Sequence, residues 1–209
     1  MKDLNQTELF AAEKIITAGL LKAADSLSFF MKEKISFKEL DYFPNWEVPS
    51  LELSQKEDST IYLLITEVIG ELKGICCLIF NEQEADQLRQ AALPVEITSN
   101  PTLMAEMSDA IMLEVDNIIT ATVITQFANI LKHKIHGGVP QLRKVNFDQL
   151  NKYIGSNIND ELFIISFQTH FLSSKVNFNP EFLWFFDNKF IESIKRFAAV
   201  EDNIEKLKK

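Results

Sequence analysis

The chain has 209 residues, 46% of them hydrophobic, enough to bury a substantial core in one large domain or two small fused ones. Its net charge of -9 and pI of about 4.9 would repel phosphate backbones and argue against nucleic-acid binding. No Lys/Arg cluster interleaved with aromatics offsets this: Arg143-Lys144 is too short, and Lys206 to Lys209 reads as a solvated tail.

The N-terminus, MKDLNQTELF, has no apolar signal region, and no apolar run approaches the length of a bilayer span. A cytoplasmic chain without membrane insertion is the simplest expectation. Thr7 to Lys34 reads as a helix, because Ile15, Ile16, Leu20, Ala23, Ala24, Leu27 and Phe30 recur at helical spacing. Ile35-Ser36-Phe37 begins to alternate and opens a short strand. From Lys38 to Ser59 the text is irregular. Pro44 and Pro49 deny a long helix there, and Trp46, Val48, Leu51 and Leu53 would supply an edge strand.

Thr60 to Phe80 is the clearest β signal, a hairpin of Tyr62–Ile65 and Ile75–Phe80 with Gly70 and Gly74 between. The unbroken apolar run ICCLIF marks a central strand. Its two cysteines, Cys76 and Cys77, are adjacent, so their side chains point to opposite faces. They read as two buried small hydrophobes, not as a disulfide or a metal site. Glu82 to Leu93 reads as a helix stopped by Pro94, and Val95 to Pro101 as a linker.

Leu103 to Ile135 is the longest stretch free of Gly and Pro, bounded by Pro101 and by Gly137-Gly138. Met112, Val115, Ile119, Val123 and Ile130 fall on one helical stripe, with Phe127 at its flank. The opposite stripe holds Ala110, Glu114, Asn117, Ala121, Thr125 and Ala128. One face wants a core. The other presents a carboxylate and a carboxamide one turn apart, among small residues that leave both accessible to a large partner.

Asn146 to Asn159 reads as a short helix, Leu162 to Phe171 as a strand, Ser173-Ser174 as a turn and Phe182 to Phe186 as a second, aromatic strand. Asn188 to Ala199 is a helix with Phe190, Ile194 and Phe197 inward, followed by the charged tail. Long helix, irregular segment, strand pair and short helix thus occur twice, about one hundred residues apart. The junctions Met31-Lys32-Glu33-Lys34-Ile35 and Leu131-Lys132-His133-Lys134-Ile135 align in letters as well. The expected fold is α+β: a single domain, residues 1–209, of two pseudo-symmetric halves (about 1–100 and 101–209). Both strand pairs would join one antiparallel sheet, with the two long helices packed side by side on one face. The duplication does within one chain what a dimer of half-length chains would do, and argues for a monomer.

This arrangement resembles the CheC/CheX/FliY family of chemotaxis phosphatases, nearest to CheC. The likeness covers nearly the whole chain as a pattern and is specific over residues 110–142. Glu114-Val115-Asp116-Asn117 matches the family's Glu-x-x-Asn, and Val139-Pro140-Gln141-Leu142 resembles the family's stretch downstream of that motif. Position 110 is Ala where the family pattern has Asp or Ser, with Asp109 one place out, and Asp116 stands where Gly is usual. The hundred-residue offset puts Lys14 and Thr17 at the Glu and Asn places of the first half, so that site is expected to be lost.

The resemblance implies hydrolysis of the aspartyl phosphate of a CheY-type response regulator, with Glu114 and Asn117 as the catalytic residues. It implies no cofactor on this chain, since Mg2+ would sit on the regulator. A carboxamide suits the task, because it orders an in-line water without adding charge beside phosphoryl oxygens. Glu114 fits better as an anchor to the regulator's active-site Lys than as a general base. The alternative is a non-catalytic module on the same fold, binding a regulator or a CheD-like deamidase. A flagellar-switch component is disfavoured because no further domain follows the last helix. Other candidates are weaker. His133 and His136 lie one helical turn apart without an acidic ligand to complete a metal set. His170 reads as structural, and Ser173-Ser174 and Gly137-Gly138 lack the context of a nucleophile elbow or a phosphate loop.

Overall fold

The computed structural model describes residues 4–43, 60–157, 162–175 and 177–208. The edge strand expected around Trp46 to Leu53 lies outside them, as do the end of the helix expected to reach Asn159 and the last residue of the tail.

Seven helices and eight strands occur among the described residues. In chain order they are α1 (Gln6–Met31), β1 (Ser36–Phe43), β2 (Ile61–Gly70), β3 (Gly74–Asn81), α2 (Glu82–Ala92), α3 (Val95–Thr98), α4 (Pro101–Leu131), β4 (Ile135–Gly137), β5 (Gln141–Val145), α5 (Phe147–Asn157), β6 (Phe163–Leu172), β7 (Asn177–Phe178), β8 (Glu181–Phe186), α6 (Asn188–Ala198) and α7 (Glu201–Leu207). Short polar side chains set the helix starts. Asn5 and Glu8 cap α1 reciprocally, as Asn81 and Glu84 cap α2. Asn100 accepts from the amides of Thr102 and Leu103, with Pro101 at the first helical position of α4. Asp187 caps α6.

The strands form one antiparallel sheet in the order β1-β6-β8-β3-β2-β4, with β5 also on β2 and β7 on β6. Its centre is the joint between β3 and β8, where Cys76 opposes Trp184 and Cys77 opposes Leu183. The outer strands cross over. β1, from the first half of the chain, pairs with β6 of the second, while β4 and β5 pair with β2 of the first. The strand order is therefore matched about the central joint.

Strand β3 is covered on both faces, which is why its sequence is continuously apolar. Cys76, Leu78 and Phe80 join the core under α1 and α4, and Cys77 and Ile79 join a smaller cluster with Leu150 and Ile154 of α5. The larger core is aromatic. Phe127 of α4 meets Trp184, Phe186 and Phe190 edge-on at 6.2, 5.9 and 4.9 Å between ring centres. The helices α1 and α4 pack closely at Gly19, where a Cβ would lie 2.8 Å from the Val123 Cα. Only a residue without a side chain permits that approach.

Both long helices stop on a lysine in the left-handed conformation, Lys32 (φ 52°) and Lys132 (φ 60°). The next amide turns back in each case, from Glu33 to the Ser28 carbonyl and from His133 to the Ala128 carbonyl. The helix expected to reach Ile135 accordingly ends at Leu131. Residues 135–137 form β4 instead, and Gly138 bonds the Glu67 carbonyl at 2.8 Å, so Gly137-Gly138 are not the helix stop. Helix α3 lies within the expected linker and α7 within the expected tail, and β5 and β7 are strands beyond those the sequence predicts. The α4 helix is long and apolar enough by composition to cross a membrane, contrary to the sequence reading, but more than half of its most apolar stretch is buried against the rest of the protein.

The outward face of the second long helix

The two stripes expected on α4 are realised. Met112, Val115, Ile119, Val123 and Phe127 are buried, and Ile130 is partly so, while Ala110, Glu114, Asn117 and Thr125 are exposed and Ala121 and Ala128 are half-buried. Glu114 and Asn117 therefore stand together on an outward face, one turn apart, with small side chains above and below.

Asp116 fixes the rotation of that face. It is fully buried, accepting from Thr66 Oγ1 on β2 at 2.6 Å and from Thr120 Oγ1 at 3.0 Å. Burial pushes its carboxyl up to about 6 against the opposing pull of the two hydroxyls. Consecutive helical residues lie about 100° apart, so a carboxylate tied to the sheet at 116 turns Asn117 away from it. Asp109 is engaged elsewhere, in an ion pair with Lys144 of β5 at 2.7 Å, and does not replace a polar residue at 110.

The two helices run antiparallel, so the end of α1 lies beside the middle of α4. Asp25, Ser26, Ser28, Phe29, Phe30 and Lys32 line an open groove with Glu114 and Ile118. Phe29 is 88% exposed. Two adjacent aromatics on one helix cannot both face the core, and it is Phe30 that packs against it. At the places in α1 that correspond to Glu114 and Asn117, Lys14 and Thr17 are half-buried, and the Lys14 ammonium sits 5.4 Å above the Phe10 ring.

The other candidates resolve into structural roles. His133 and His136 do not share a helix. His133 Nε2 is 2.8 Å from Ser193 Oγ and its Nδ1 3.7 Å from Glu71, while His136 is exposed on β4. The chain Ser193–His133–Glu71 has the order of a catalytic triad without its chemistry. Ser193 is buried and also lies 2.7 Å from the Lys189 carbonyl within its own helix, so its hydroxyl is taken up inside the fold and open to no substrate. Ser174 donates to Glu33 at 2.9 Å, and the Ser173 hydroxyl, with Ser174 and Lys175, holds that carboxyl down at about 2. His170 lies half-buried on β6 near Glu84. Phe182 to Phe186 are buried sheet core. Burial, with the Asp116 charge adding, pushes the Cys77 thiol up to about 12 and Cys76 well above its usual range, which leaves both unreactive at neutral pH. Among the described residues no group of three or more His, Cys, Asp or Glu is placed to hold a metal ion.

This chain, with its two long helices laid on one antiparallel sheet, shares its fold with solved structures of the chemotaxis proteins FliY and CheX and of the FliM middle domain. FliY of Thermotoga maritima superposes with a TM-score of 0.67 over 94% of this chain and 98% of that one, at 15% identity. The FliM middle domain of Vibrio alginolyticus gives 0.58 over 89% and 98%, at 12% identity. CheX in the CheX–CheY–BeF3–Mg2+ complex of Borrelia burgdorferi gives 0.51 over 81% and 96%, at 14% identity. No family model and no curated protein sequence matches the chain.

Proposed function

We propose that the chain is a chemotaxis-type phosphatase acting on the aspartyl phosphate of a CheY-type response regulator. The observation that carries this is the joint exposure of Glu114 and Asn117 on the outward face of α4, held in register by the buried Asp116. The likeness to CheX, one solved structure of which is a complex with CheY, supports the choice of partner. In this reading Glu114 pairs with a lysine in the regulator's phosphorylation site. That contact sets Asn117 against the phosphoryl group, where its carboxamide holds a water in line with the scissile P–O bond. The water attacks phosphorus, the aspartyl oxygen leaves as carboxylate, and inorganic phosphate departs. The rate gain comes from orientation and not from a strong base. Mg2+ belongs to the regulator, and this chain supplies no cofactor.

Ala110 and the replaced first-half pair, Lys14 and Thr17, favour one second reading: a non-catalytic module that binds a regulator, or a CheD-like deamidase, on the same face. Likeness to the FliM middle domain fits that option. The decisive measurement is decay of a phosphorylated CheY-type regulator with and without the protein. Acceleration by wild type, lost in Asn117→Ala by at least about tenfold, supports the phosphatase. Binding without acceleration refutes it and leaves the module.

A further inference from the structure

Phe29 is the most exposed large hydrophobic residue among those described, at 88%. It contributes little to the core, and phenylalanine is a middling helix former, so neither stability nor propensity accounts for it there. Its position in the duplicated frame is informative. The hundred-residue offset puts Asn129 at the corresponding place on α4. The bare aromatic shares its groove with Glu114 of the surviving pair, whereas the other copy has a polar residue at that place.

The groove around Phe29 is continuous with the proposed site, because Glu114 and Ile118 form one of its walls. Asp25 and Glu114, both exposed carboxylates, share it with Phe29, and Lys32 is its one cation. Such a surface fits an apolar recess bordered by a basic side chain and repels an acidic one. Given the reading of Glu114 as a partner for the regulator's lysine, we infer that Phe29 is the anchor that seats the CheY-type response regulator. It fills an apolar recess beside that lysine, so that affinity resides mainly on α1 and chemistry on α4. This rests on the proposed partner but not on hydrolysis.

The CheY-type regulators of the same genome, loaded with beryllofluoride and Mg2+, serve as probes. Wild type, Phe29→Ala, Asn117→Ala and the equally bare control Val139→Ala are titrated against each. Phe29→Ala should weaken binding by at least about tenfold, as buried aromatic anchors do, and Val139→Ala should not. In turnover, Phe29→Ala should raise KM while Asn117→Ala lowers kcat. Unchanged affinity in Phe29→Ala overturns the anchor and leaves the phosphatase standing. Lost affinity in Phe29→Ala, with no hydrolysis by wild type, keeps the anchor and sinks the phosphatase. Absence of binding to any regulator overturns both. A wild-type dimer that Phe29→Ala converts to monomer gives the groove to a second copy and overturns the anchor.

Discussion

Replacing Asp116 by Asn should stabilise the protein at neutral pH and remove part of its pH dependence. Asp116 is fully buried between α4 and β2, with two threonine hydroxyls as its partners. Its carboxyl is raised to about 6, whereas an unfolded aspartate titrates near about 3.9. Below the lower value both states are protonated and folding carries no penalty. As pH rises through the interval the unfolded state ionises first, and above the upper value the folded state must hold a desolvated charge. At about 1.4 kcal/mol for each tenfold change in proton affinity, wild type loses about 3 kcal/mol of stability between about pH 4 and about pH 6. Asparagine keeps both contacts, since its oxygen accepts from one threonine and its amide donates to the other. Loss of charge-assisted bonding offsets some of the gain, so Asp116→Asn should be about 1–3 kcal/mol more stable than wild type near pH 7 and about equal near pH 4. Urea denaturation of both proteins at the two pH values gives the difference directly, and other carboxylates cancel in it. A variant less stable than wild type near pH 7, or a difference that does not change with pH, would show that the Asp116 charge is not desolvated as argued.

The left-handed lysines offer a simpler test of backbone strain. Lys132→Gly should stabilise by about 0.5–1 kcal/mol, because glycine holds that conformation without a Cβ clash, and an unchanged or lower melting temperature would count against the strain. Installing the lost pair, Lys14→Glu with Thr17→Asn and with Phe10→Ala to match Ala110, should give a second working face on α1. With Asn117→Ala as background, recovery of regulator dephosphorylation supports the duplicated reading. A folded variant with no recovery would mean that the surroundings of Glu114, among them the Phe29 groove, are needed too.

Much of this was written in periodicity. The apolar stripe of α4 is buried from Met112 to Phe127, and partly so at Ile130, because one side of the long helix lies on the core. The hairpin of β2 and β3 was legible because its strands are apolar and β-branched. The caps Asn5, Asn81, Asn100 and Asp187 were not identified from the sequence, although their hydrogen bonds need only neighbouring residues. Exposure of Glu114 and Asn117 follows from the same stripe. Strand β5 was not legible: Gln141, Arg143 and Lys144 are exposed and carry no alternating pattern. It is a strand because β2 offers it a row of unpaired backbone groups.

Sequence alone set the two-faced helix and the Glu-x-x-Asn spacing, both of which depend on residues within a turn or two of one another. Tertiary structure decided what depends on residues far apart in the chain. It crossed the outer strands between halves and stopped α4 before Ile135. It buried Asp116 against Thr66, fifty residues away. It also laid the end of α1 beside the middle of α4, so that Phe29, an unremarked helical residue in the sequence, borders the same groove as Glu114. Periodicity fixes which way a side chain points from its own axis, and only packing of that axis against others fixes what it meets.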